Sequence, residues 1–188
     1  EGDHLAALDA QSYLPPIYCY DLNKCHGITF TKMINGRAYT PAFQFIYQDM
    51  THLKVRKLRE RIGIDDFVKQ SRNDLELIMK LSNWANMQWG HMMVVPHPSF
   101  DAHEIIDRTE KGDAFWCTYK AAVFIQACNA AGLTARIVNI NPENDFGHTP
   151  AEVYNNDFRK WMLVDPWLNC YYERDGIPLS AREIHNSI

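Results

Sequence analysis

No two cysteines in this chain form a Cys-x-x-Cys pair, which argues against a zinc ribbon or a thioredoxin-like redox motif. There are five cysteines, Cys19, Cys25, Cys117, Cys128 and Cys170. The odd number leaves at least one thiol free within a monomer and excludes a dense disulfide framework. No apolar run approaches the ~18 residues that a membrane-spanning helix needs. Long basic runs are missing too, and 19 Lys and Arg against 23 Asp and Glu give a formal net charge of −4. Nucleic acid or an anionic membrane surface therefore meets little electrostatic footprint. Charged residues make up 22% and hydrophobic residues 46%, a balance that excludes a disordered or fibrous chain. The length of 188 residues suits one domain with at most a short arm. A fold of this size hides roughly 70% of its unfolded surface, enough for a core without disulfide staples.

The chain opens at Glu1 with neither an initiator Met nor a signal-peptide pattern, so it reads as a processed or truncated product of a longer parent. Cys19 and Cys25 are close enough in sequence to bridge in an oxidising compartment. Both features lean toward an exported protein, periplasmic or extracellular.

Residues 1–50 are rich in aromatics and turn formers and are expected to form an N-terminal extension or the end of a preceding module. Gly27 to Tyr39 reads as a hairpin turning at Asn35-Gly36, a pair that accepts positive backbone torsions. A basic amphipathic helix is expected from Leu53 to Arg61, stopped by Gly63. A longer helix follows from about Asn73 to Trp89, capped by Asn73 or Asp74. His91, His97 and His103 then recur at even spacing. Even spacing invites a metal reading, but Pro96 and Pro98 break any shared helical face, so ordinary loop histidines are the better reading. Another short helix is expected from Asp101 to Thr109.

The chemistry concentrates after the turn at Glu110-Lys111-Gly112-Asp113. Residues 116–131 read as a helix stopped by Gly132, with Ala121, Phe124, Ile125 and Cys128 on one face. Cys117 shares that face at the first turn. Free amide N–H groups and the helix macrodipole favour an anion there, and the same groups point where an oxyanion forms during attack on a carbonyl. Taken alone, Cys117 is better explained as a buried cysteine on a core face. Cys128, three turns on, has neither advantage and reads as core.

Leu133 to Ile140 reads as a strand. His148 to Tyr154 and Phe158 to Asp165 read as an antiparallel hairpin turning at Asn156-Asp157. A tight turn there pairs Asn155 with Phe158, Tyr154 with Arg159, Glu152 with Trp161 and His148 with Asp165. Directly opposed residues share a face, with β-carbons about 4.5–5.5 Å apart. A carboxylate so placed fixes one imidazole nitrogen and leaves the other to act as base.

A helix-start Cys, then a strand His, then an Asp on the next strand is the chain order of a papain-like thiol site. Four segments together resemble the transglutaminase-like core: Gly112-Asp113-Ala114-Phe115-Trp116-Cys117, Ala131 to Arg136, His148-x-x-x-Glu152-Val153, and Trp161-Met162-Leu163-Val164-Asp165-Pro166. That superfamily includes transglutaminases, bacterial cysteine proteases and peptide N-glycanases. The resemblance spans about residues 73–188, within a domain expected over 51–188, and departs at Pro150, where many members carry Trp after the histidine. It implies an α+β, papain-like fold, with a central nucleophile helix packed on an antiparallel sheet and additional helices around it. It further implies Cys117 as nucleophile, His148 as general base and acid, and Asp165 as orienter. Trp89 and Gln88, ending the preceding helix, are the oxyanion candidates. Arg136 and Glu152 read as structural, and two acids between Asn141 and Asp145 make only a weak calcium case. No metal or organic cofactor is required. The expected substrate is an amide carbonyl of a peptide or protein, attacked by thiolate to give a thioester acyl-enzyme. Water as acceptor makes a hydrolase, a peptidase or amidase, and an amine makes a transglutaminase-type acyltransferase. A binding or scaffolding module that keeps the fold without turnover is the third possibility.

Overall fold

The computed structural model describes Asp49, residues 51–90, 96–141 and 147–187, and the backbone of 18–21. The Gly27–Tyr39 hairpin, Cys25, His91 and most of the Asn141–Asp145 loop lie outside these residues, as does the side chain of Cys19.

Helix α1 (Leu53–Ile62) stops where Gly63 turns left-handed at φ 72° and returns its N–H to the carbonyls of Arg59 and Glu60. A side-chain-bearing residue would be strained there. The short α2 (Ile64–Lys69) follows directly. Helix α3 (Asp74–Met87) begins at Asn73, whose side chain accepts from the Glu76 N–H at 2.8 Å. Helix α4 (Ala102–Thr109) is capped in the same way by Asp101, which accepts from the His103 N–H. Each cap satisfies an amide that the helix itself leaves without an acceptor.

Helix α5 (Cys117–Ala130) is the centre of the molecule. Phe124, Ala127 and Cys128 pack against Ile78, Leu81 and Ala85 of α3. Tyr119, Ala122 and Val123 lie against Ile105 and Ile106 of α4, with Trp89 and Phe115. A helix apolar nearly all round belongs in an interior. Phe124 has no solvent exposure, and burying such a side chain contributes about 1.5–3 kcal/mol.

The sheet comprises β1 (Tyr18–Asp21), β2 (Ala135–Ile137), β3 (Ala151–Asn155), β4 (Lys160–Asp165), β5 (Cys170–Arg174) and β6 (Ile177–Pro178). Its order is β1-β5-β4-β3-β2, with β6 also on β5. Pairings among β2 to β6 are antiparallel, and β1 adds to β5 in parallel. Val153, Met162 and Val164 face the α3–α5 core. Helix α6 (Ala181–His185) closes the described chain with a reciprocal Ser180/Glu183 capping box. The fold is therefore α+β, with a central helix on a largely antiparallel sheet.

Two expectations for the sheet need correction. The strand expected over 133–140 is regular only from Ala135 to Ile137, and the one expected from His148 begins regularly at Ala151. Pro150 has no N–H to donate, although its carbonyl still accepts from Val138 N–H at 3.0 Å. Beyond it, His148 and Ile140 exchange both backbone hydrogen bonds at 2.8 Å as an isolated bridge.

The β3–β4 register also differs by two positions from the tight-turn expectation. Asn155 pairs with Lys160, Tyr154 with Trp161, and Glu152 with Leu163. The turn is wider because both residues at its tip are engaged by α3. Asp157 Oδ2 accepts from the N–H groups of Asp74 (2.8 Å) and Leu75 (3.2 Å), while Asp74 Oδ2 accepts from Asn156 N–H (2.9 Å) and Nδ2 (2.6 Å). Phe158 N–H donates to Asn155 Oδ1, and Arg159 takes a positive φ of 54° to rejoin the ladder. An even shift leaves every side chain on its intended face.

Candidate active site

Cys117 is the first residue of α5, and its thiol is half-buried and outside any disulfide. The preceding Trp116 offers no side-chain acceptor to the first turn, and that turn carries no acidic residue. Nothing of that kind competes with an incoming anion for the amides there.

Cys117 lies close enough to His148 to help raise the pKa of its ring. His148 Nε2 lies 2.5 Å from Asp165 Oδ2. The imidazole is 31% exposed and the carboxylate 1%, so the buried acid holds a ring that solvent can reach. Asp165 is itself held, because its Oδ1 accepts from the N–H groups of Trp167 (2.9 Å) and Leu168 (3.1 Å). The hydrogen bond that His148 donates to Asp165 lifts its pKa to about 9. Burial works against that rise, while the Asp165 charge and Cys117 add to it. At neutral pH the ring is therefore an imidazolium placed near both a carboxylate and the Cys117 sulfur.

With the observed register continued, Asp165 falls across from Pro150, and His148 lies two positions further along the same face. The His148–Asp165 contact is diagonal, not directly cross-strand. A second link fixes the approach of strand to helix. Thr118 and Thr149, the neighbours of Cys117 and His148, share a hydroxyl hydrogen bond of 3.1 Å, and Thr149 donates on to Asn139 Oδ1 at 3.2 Å.

The turn that carries Asp165 is gripped by the polar side of α3. Asn86 Nδ2 donates to the carbonyls of Pro166 and Trp167, both at 2.9 Å. Asn169 donates to Asn83 Oδ1 at 2.9 Å and accepts from Ser82. One turn beyond Cys117, the Lys120 side chain is buried, with Nζ donating to the carbonyls of Asn86 (2.7 Å) and Trp89 (2.8 Å). Burial alone pulls its pKa down to about 8.

The two oxyanion candidates close α3 beside this cluster. The buried Trp89 indole N–H donates to Phe115 O at 2.9 Å, and Gln88 Nε2 donates to Trp84 O at 2.8 Å. Arg136 forks onto Glu152 Oε2 (2.9 and 2.6 Å), and Glu152 Oε1 accepts from the Ala181 N–H, joining β2, β3 and α6. His97 stacks on Tyr119, and a His103 ring nitrogen contacts Lys54 O. Among the described residues no group of three or more metal-ligating side chains converges, and no helix is long and apolar enough to cross a membrane. Cys128 is core, and its burial pushes the thiol pKa well up. Cys170 is buried on β5, paired with Asp165 across the ladder.

Sequence reasoning missed Lys120, Asn86 and the Thr118–Thr149 link. A signal existed for the lysine, as the one charged residue in a largely apolar helix. None existed for Asn86, whose partners lie far along the chain.

No curated protein and no solved structure matches this chain. A profile of the transglutaminase-like superfamily matches residues 64–166, more than half the chain and a segment that includes Cys117, His148 and Asp165. The sheet, the central helix and this match agree, and the chain belongs to the transglutaminase-like superfamily.

Proposed function

We propose that the protein is a thiol-dependent hydrolase, a peptidase or amidase, that cleaves an amide bond through a thioester acyl-enzyme. The observation that carries this reading is His148, hydrogen-bonded through Nε2 to the buried Asp165 and close to Cys117 at the start of α5. In this reading the resting pair is a thiolate and an imidazolium. The Cys117 sulfur attacks the amide carbonyl, and the oxyanion develops at the uncapped first turn of α5. His148 donates its proton to the leaving amine, and the C–N bond breaks to leave the thioester. The neutral ring then takes a proton from water, hydroxide attacks the thioester, and the C–S bond breaks to release the acid and restore the thiolate beside the imidazolium. Asp165 keeps the ring oriented throughout. The catalytic unit is residues 51–188, with the preceding residues as an extension whose β1 joins the sheet edge.

Hydrolysis is preferred to acyl transfer because water is always present as acceptor. Incubation with a glutamine peptide and a fluorescent primary amine separates the two. Ammonia release without fluorescent product supports hydrolysis, and incorporation of the amine supports a transglutaminase. If neither that peptide nor a panel of peptide amides turns over, while Cys117 also fails to react with electrophiles, the chain is a binding module.

A further inference from the structure

We propose that Lys120 is a positioning residue for the triad, its ammonium clamping the end of α3 to the nucleophile helix so that α3 can hold the turn carrying Asp165. This inference rests on the triad reading above and deepens it.

Lys120 is 1% exposed. Among the described residues no carboxylate balances it, since burial is the sole influence on its titration. Taking an ammonium out of water without a counter-ion is costly, so the partners it does have must be well placed. One is the backbone carbonyl of Asn86 in the last turn of α3, where a helix has acceptors to spare and a negative dipole end. Another is the carbonyl of Trp89 just beyond the helix. Two more are indole faces, with Nζ 4.9 Å from the Trp89 ring centre and 5.3 Å from that of Trp167. Both lie within the range of a cation–π attraction.

These partners connect the two halves of the site. Asn86 gives its carbonyl to Lys120 and its side-chain amide to the Pro166 and Trp167 carbonyls. Trp167 offers its ring to Lys120 and its N–H to Asp165. A continuous path therefore runs from the helix that carries Cys117, through Lys120 and Asn86, to the carboxylate that holds His148. Nearby titratable groups are Cys117 one turn earlier on α5, and Asp165 with His148 where the Trp167 turn begins.

The test follows the titration of His148 by NMR of the labelled imidazole, in the whole chain, for wild type, Lys120→Met, Lys120→Arg and Asn86→Ala. Two effects of removing the ammonium have opposite signs. Loss of a nearby positive charge raises a histidine pKa, whereas loss of a well-placed Asp165 lowers it. The positioning role predicts that His148 falls by about one unit or more toward its ordinary value near 6.5 in Lys120→Met. Lys120→Arg, which keeps N–H donors, is expected to hold the wild-type value. Asn86→Ala cuts the same path without disturbing a buried ion and is expected to lower His148 as well, which keeps the test decisive if Lys120→Met does not fold. A wild-type value near 9 that Asn86→Ala and any folded Lys120→Met leave unchanged or raise overturns the role of Lys120 alone. A wild-type His148 titrating at its ordinary value removes the triad reading, and this inference with it.

Discussion

His148 and Asp165 meet on a diagonal, with Nε2 and Oδ2 2.5 Å apart. The histidine rides on an isolated bridge to Ile140, and the aspartate closes a regular strand. A ring held only at a bridge needs outside support, and three sources converge on it: the buried carboxylate, the Thr149–Asn139 hydroxyl contact beside it, and the Cys117 sulfur close to it.

That pairing gives stability a pH dependence of definite sign. His148 has a folded pKa of about 9 against about 6.5 unfolded. Its contribution is thus fully present below about pH 6.5 and is lost as pH rises through about 9. Lys120 works the other way, because its folded value, lowered to about 8, makes the unfolded chain the better proton binder above that pH. Comparing wild type with Asp165→Asn cancels the lysine. The difference in Tm between them is expected to be largest near pH 6 and to shrink toward pH 10, as followed by thermal melts across that range.

Removing the orienting carboxylate should cost turnover more than folding. Asp165→Asn preserves shape but offers His148 no charge, and a loss of kcat on the order of 10³- to 10⁴-fold is expected. Turnover of a responsive peptide amide, measured alongside circular dichroism, checks it.

The hydroxyl link between strand and helix predicts a smaller effect. Thr149→Val keeps the volume but removes the bonds to Thr118 and Asn139 at a buried position. A loss of about 1–3 kcal/mol is expected because polar partners are left unsatisfied. Urea unfolding with an unchanged m-value would support it.

Glu152 predicts an effect away from the site. Its carboxylate is buried and holds both Arg136 and the first amide of α6. Glu152→Ala should release α6, raising hydrogen exchange at Ala181–His185 before it affects α5. Equal protection of α6 in both proteins would contradict this.

Much of this architecture could be read from local patterns. Asn73, Asp101 and Gly132 mark helix ends because caps act within a few residues, and the apolar face of 117–130 marks the central helix. The hairpin was legible in its position but not in its register. The pull of Asp74 on the Asn156-Asp157 tip is a contact across 82 residues, and no rule of hairpin length contains it. The supports of Asp165 were hidden for the same reason. They come from Asn83 and Asn86 on a helix that, from the sequence, shows only mixed apolar faces. The position of Cys117 at the start of α5 was legible because the Gly112–Asp113 turn before it and the apolar face after it are both local.

The central claim is that Cys117 is held ready as a nucleophile by His148. Its most direct test is the rate of Cys117 alkylation by iodoacetamide, measured against pH in wild type and His148→Ala, with the modified residue located by mass spectrometry. The account predicts fast, selective alkylation of wild-type Cys117 already near pH 6, where an ordinary thiol of pKa about 8.5 is almost wholly protonated, and loss of that reactivity in His148→Ala. A wild-type Cys117 that follows the profile of an ordinary thiol, unchanged by the histidine substitution, would contradict it.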